Sequence, residues 1–124
     1  MGRRRLIAIV DDDESVREAL PDLLRELGYE AQAFCSAADF LASDTLTAAD
    51  GLILDVAMPS MSGPELQLEL TRRGVSVPIV FITAHADAAI GPRVLERGAA
   101  ALLFKPFSPG QLLAPLEAAF ARAG

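Results

Sequence analysis

The sequence predicts an α/β protein, a parallel five-stranded sheet with helices on both faces. Three observations carry that expectation. Short apolar runs recur at Leu6–Val10, Gly51–Leu54, Pro78–Ile82 and Ala99–Phe104, and runs this brief and continuously apolar suit strands buried on both sides. Longer mixed segments with apolar stripes at helical spacing lie between them. Strand then helix repeats five times, and right-handed crossovers turn such a series into an open parallel sheet.

Each element has its own signals. The first strand, Leu6–Val10, leads into a helix over about 14–27, striped by Val16, Leu20, Leu23, Leu24 and Leu27 and stopped by Gly28. Tyr29–Phe34 alternates, with Tyr29, Ala31 and Ala33 opposite Glu30 and Gln32, as an edge strand does. Ser36 is a natural N-cap for a helix over about 36–43. After Gly51–Leu54, a helix over about 63–73 ends at Gly74. Pro78–Ile82 precedes a segment ending at Gly98, where Gly91-Pro92 predicts a short helix starting near Pro92 behind an irregular loop from His85 to Gly91. Ala99–Phe104 is the last strand. A helix over about 109–122 follows, capped by Ser108, opened by Pro109 and striped by Leu112, Leu113, Leu116 and Phe120. Pro21 predicts a bend in the first helix, and Pro115 lies within the last.

At 124 residues, residues 1–124 are expected to form one domain with one core. Hydrophobic content of 52% beside 23% charged residues excludes disorder, and no apolar run approaches the roughly 20 residues of a membrane span. The Arg3–Arg5 opening is followed by too short an apolar run for an export signal and reads as a solvated terminus. A single cysteine, Cys35, excludes an intramolecular disulfide, suits a cytoplasmic setting and reads as a small half-buried apolar residue. A net charge of −6 argues against direct nucleic-acid binding by this chain.

In open parallel sheets ligands bind beyond the carboxyl ends of the strands. Strand 1 ends in Asp11-Asp12-Asp13, strand 3 in Asp55, strand 4 in Thr83 and strand 5 in Lys105, the only lysine in the chain. Carboxylates about 4 Å apart repel by roughly 1 kcal/mol per pair in water and about 4 at an effective dielectric of 20. A hard divalent ion such as Mg²⁺ offsets that, Lys105 adds a point charge suited to a phosphate oxygen, and Thr83 offers a hydroxyl. The set suggests phosphoryl transfer onto an aspartate. Asp13 with Glu14 reads instead as helix N-terminal charge, His85 as loop surface, and Met58 and Met61 as packing.

Val10-Asp11-Asp12-Asp13, Leu54-Asp55-Val56-Ala57-Met58-Pro59 with Met61-Ser62-Gly63, Ile82-Thr83-Ala84 and Lys105-Pro106-Phe107 resemble, in order and spacing, the receiver domain of bacterial two-component response regulators, the CheY-like family. Tyr29–Phe34 with Ser36-Ala37 and Phe40-Leu41 is similar to receivers of the FixJ type. The resemblance implies a doubly wound, flavodoxin-like (βα)5 sheet of order 2-1-3-4-5, for which CheY-like proteins are a standing example. It implies Asp55 as phosphoacceptor, supplied by a sensor histidine kinase. Asp11, Asp12, Asp55 and the Ala57 backbone carbonyl would hold Mg²⁺, with Asp11 acting through a water. Thr83 and Lys105 would contact the phosphoryl group, Ala84 would leave room beside it, and the Lys105-Pro106 peptide bond would be cis.

It also implies a population shift in which Thr83 moves and a residue three before the lysine follows. That residue is commonly aromatic and here is Leu102. Output would pass to an effector domain or a second copy through the face of the fourth helix, fifth strand and fifth helix. The chain would be a switch, catalysing only its own phosphorylation and slow dephosphorylation, either standing alone or leading a longer regulator. Two other readings exist: a haloacid-dehalogenase-like phosphatase with Asp11 as nucleophile and Asp13 as acid, and a pseudo-receiver that only docks.

Overall fold

The computed structural model describes residues 4–84 and 90–123. Its sheet comprises β1 (Leu6–Val10), β2 (Glu30–Phe34), β3 (Gly51–Asp55), β4 (Ile79–Thr83) and β5 (Ala101–Phe104). All neighbours pair in parallel in the order β2-β1-β3-β4-β5. β3 and β4 are buried throughout, whereas β2, at one edge, turns Ala31 inward and exposes Glu30 and Gln32. This is the parallel sheet that the apolar runs imply, in the doubly wound order that the resemblance to CheY-like receivers implies.

The helices are α1 (Glu14–Glu26), α2 (Ala37–Leu41), α3 (Thr45–Ala48), α4 (Gly63–Arg72), α5 (Ile90–Glu96) and α6 (Pro109–Ala123). Two apolar layers flank the sheet. Leu20 and Leu24 of α1 with Leu112, Leu116 and Phe120 of α6 meet Ile7, Ile9, Ile53 and Ile82 on one side. On the other, Phe40 of α2, Leu66 and Leu70 of α4 and Val94 of α5 meet Val10, Leu52, Leu54 and Phe81. Met58 is buried and Met61 packs against that second layer, in agreement with their reading as packing residues.

Caps account for several boundaries. Asp13 accepts the Ser15 amide at 2.9 Å and starts α1, and Ser36 accepts the Asp39 amide at 3.1 Å and starts α2. Ser62 and Glu65 form a reciprocal capping box on α4, as Ser108 and Gln111 do on α6.

The structure departs from sequence expectation in the bounds of three strands, in one added helix, in the extent of α5 and at Cys35. The expected strands starting at Tyr29 and Ala99 begin later, at Glu30 and Ala101, and β4 runs Ile79–Thr83 rather than 78–82, so it includes Thr83. The segment after α2 forms a further helix, α3, tied to the sheet by Thr45 Oγ1 donating to Gln32 Oε1 at 2.7 Å. The helix expected to start near Pro92 already includes Ile90 and Gly91 among the described residues, so Pro92 does not open it. Its described part runs to Glu96; the loop expected before it, with His85, lies outside the described residues. Finally, Cys35 is exposed rather than half-buried, its thiol donating to Asp39 Oδ2 at 3.0 Å. α1 runs on through Pro21, which is buried. No helix among the described residues is long and apolar enough to cross a membrane.

Candidate functional site

The carboxyl ends of the strands bring the chemistry together. Asp11 follows β1, and Asp55 ends β3, adjacent in the sheet. Carboxylate oxygens of Asp11, Asp12 and Asp55 all lie within 4.8 Å of one another. Asp11 is fully buried and Asp55 is 6% exposed, while Asp12 faces solvent. β5 ends one residue before Lys105, whose Nζ donates to Asp11 Oδ2 at 3.0 Å and stands 3.9 Å from Asp55 Oδ1. The Lys105-Pro106 peptide bond is cis. Thr83, the last residue of β4, is 4% exposed.

Every polar atom of Asp11 has a partner. Its amide donates to the Phe34 carbonyl at 3.1 Å, Oδ1 accepts from the Asp13 amide at 2.9 Å, Oδ2 accepts from Lys105, and its carbonyl accepts from Arg17 Nη1 at 2.9 Å. Arg17 is a residue that reading the sequence missed. It lies in the amphipathic α1, and no spacing rule marks it.

One ammonium among three carboxylates leaves negative charge in excess when all are ionised. The effect shows on Asp55, whose carboxyl is pushed up to about 7, first by burial and next by the charge of Asp11, with Lys105 pulling the other way. Oxygen-only donors, two of them buried and all underneutralised, fit a hard divalent cation such as Mg²⁺. Ala57, two residues past Asp55, is exposed at the start of the β3–α4 loop.

That loop is held tightly. Gly63 donates its amide to the Val56 carbonyl at 3.0 Å, and a Cβ built on Gly63 would collide with the Asp55 carbonyl oxygen and stand 3.0 Å from Phe81 Cε1. Only glycine allows α4 to start so close to the end of β3. Leu102 pairs with Phe81 in the sheet and packs against the α2–α5 layer. A Cβ on Gly91 of α5 would lie 3.3 Å from Leu102 Cδ2.

A doubly wound sheet with buried carboxylates, a hydroxyl and a lysine along its carboxyl edge defines an α/β protein with an acidic cluster where such sheets bind ligands. The response regulator receiver domain model matches residues 7–117. The chain therefore belongs to the response regulator receiver domain family of two-component signal transduction.

Among relatives, it is 40% identical to the response regulator protein TodT of Pseudomonas putida over 94% of this chain and 52% of that protein. It is 34% identical to the transcriptional regulatory protein FixJ of Azorhizobium caulinodans over 94% of this chain and 55% of that one. The solved structure of response regulator StyR is similar with a TM-score of 0.85 at 43% identity, covering 94% of this chain and 59% of that chain. The structure of FixJ-N gives a TM-score of 0.84 at 31% identity, covering 95% and 94%. The chain spans about half the length of the curated relatives that it matches.

Proposed function

We propose that this chain is a single receiver unit that accepts a phosphoryl group on Asp55 from a sensor histidine kinase and changes conformation in response. The observation that carries this reading is Lys105 Nζ lying within 4 Å of both Asp11 and the buried Asp55. An Asp55 oxygen forms the bond to phosphorus as the bond from phosphorus to the donor nitrogen breaks. Asp11, Asp12, Asp55 and the Ala57 carbonyl would hold Mg²⁺, which when bound supplies charge neutralisation and alignment. Lys105 pairs with a phosphoryl oxygen and Thr83 donates its hydroxyl.

The phosphatase reading is less favoured. Both Asp11 side-chain oxygens are already engaged, and Asp13 is turned to the Ser15 amide as the cap of α1. A docking-only role leaves the assembled site without a purpose.

The chain acts as a cytoplasmic regulatory switch rather than a metabolic enzyme. Its output passes to an effector domain or a second copy through the α5–β5–α6 face, where Leu95 and Phe104 are about half exposed, at 48% and 50%. Mass spectrometry after incubation with acetyl phosphate and Mg²⁺ tests the reading. One phosphoryl group is expected on Asp55 and none on Asp55→Asn, whereas a phosphoenzyme lost in Asp11→Asn but kept in Asp55→Asn would favour the phosphatase.

A further inference from the structure

Arg17 stands beside an acidic loop, yet among the described residues it makes no ion pair. Its Nη1 donates to a neutral atom, the Asp11 backbone carbonyl, at 2.9 Å from half-buried surroundings on α1. That bond ties the second turn of α1 back to the end of β1, closing the loop that carries Asp12 and Asp13. The same loop is held from inside by the Asp13 amide on Asp11 Oδ1. Arg17 thus fixes the main chain from which two of the three clustered carboxylates project, without touching any of them.

We infer that Arg17 is a positioning residue for the cation site: it holds the Asp11–Asp13 backbone so that Asp11 and Asp12 present their oxygens toward Asp55. This rests on the reading of that cluster as a Mg²⁺ site. The two effects of a guanidinium here have opposite signs. As a positive charge near the carboxylates it opposes cation binding, so its removal by charge alone tightens Mg²⁺. As a clamp on the loop it pre-organises the ligands, so its removal loosens Mg²⁺, and losing a residue that orients metal ligands typically costs 10–100-fold in affinity. The fully partnered state of Asp11 favours the clamp.

The test compares the full chain with Arg17→Met, which keeps a long unbranched stem, and Arg17→Lys, which keeps a charge and a donor. Mg²⁺ titration followed by amide NMR is expected to show about tenfold weaker binding in Arg17→Met and partial recovery in Arg17→Lys. A second readout needs no metal: exchange of the Asp13 amide hydrogen should speed up in Arg17→Met while amides of β3 and β4 keep their protection. Unchanged or tighter Mg²⁺ binding in Arg17→Met overturns the inference, as does an Asp13 amide protected as in the wild type. If the wild type itself binds no Mg²⁺, the cation reading of the cluster fails, and the Asp13 exchange still decides whether Arg17 clamps the loop.

Discussion

Lys105 Nζ is bonded to Asp11 at 3.0 Å and stands 0.9 Å farther from Asp55, at 3.9 Å, so the lysine rests on the neighbour of the proposed acceptor rather than on the acceptor. Under the proposed reaction, a phosphoryl group on Asp55 would compete for that ammonium. Lys105→Arg keeps the charge but replaces a compact ammonium by a wider planar fork. We expect it to leave Asp55 labelling detectable while impairing the conformational response to beryllofluoride and Mg²⁺, read by amide NMR. A response equal to that of the wild type would mean that the lysine contributes charge alone.

Removing the ammonium altogether exposes its structural role. Lys105→Met leaves Asp11 fully buried with one oxygen unpaired, and an abandoned buried acceptor costs about 1–3 kcal/mol. Chemical denaturation at pH 8 without divalent ions should show a loss of that size.

The Asp55 carboxyl ionises at about 7 in the folded chain, raised by burial and by Asp11 against the pull of Lys105. Unfolded, it ionises near its ordinary value of about 4. Between those values the folded state keeps a proton that the unfolded chain has lost, so this group's contribution makes stability fall as pH rises from about 4 to about 7. Asp55→Asn removes that fall. Thermal melts without divalent ions should show the variant melting higher than the wild type above pH 7, by on the order of 10 °C, with the gap closing toward pH 4. A gap independent of pH would refute the linkage.

Gly63 has no room for a side chain. Gly63→Ala forces a methyl against the Asp55 carbonyl oxygen and Phe81, and overpacking of this kind costs about 1–3 kcal/mol. Because the clash falls on the backbone of Asp55 itself, phosphorylation should drop more than the melting temperature suggests when both are measured.

Gly91 faces Leu102 closely enough that an added Cβ would stand 3.3 Å from its Cδ2. Gly91→Ala should leave Mg²⁺ affinity near that of the wild type while reducing the beryllofluoride-induced shifts of β5 and α5 amides. Full retention of those shifts would show that Leu102 takes no part in the response.

The fold was legible because strands buried on both faces cannot hide their composition, and the site because its residues close those runs: Asp11 after Val10, Asp55 after Leu54, Thr83 after Ile82 and Lys105 after Phe104. What escaped depends on contacts between distant segments. α3 is docked by Thr45 onto Gln32, a pairing with no periodic trace. Arg17 works through a main-chain carbonyl, which carries no residue identity to read. The late start expected for α5 gave Pro92 too much weight, since Ile90 and Gly91 before it are already helical. Cys35 looked half-buried because its small size suits an interior, but the residue just past an edge strand meets solvent.

The bond between Lys105 and Asp11 spans 94 positions of the chain. A polypeptide emerging from the ribosome therefore carries its first carboxylates long before the lysine that completes the cluster has been made. The three carboxylates and the ammonium share one place only when the fifth strand is paired in register with the fourth, which makes the cluster a product of the whole sheet and of no single segment.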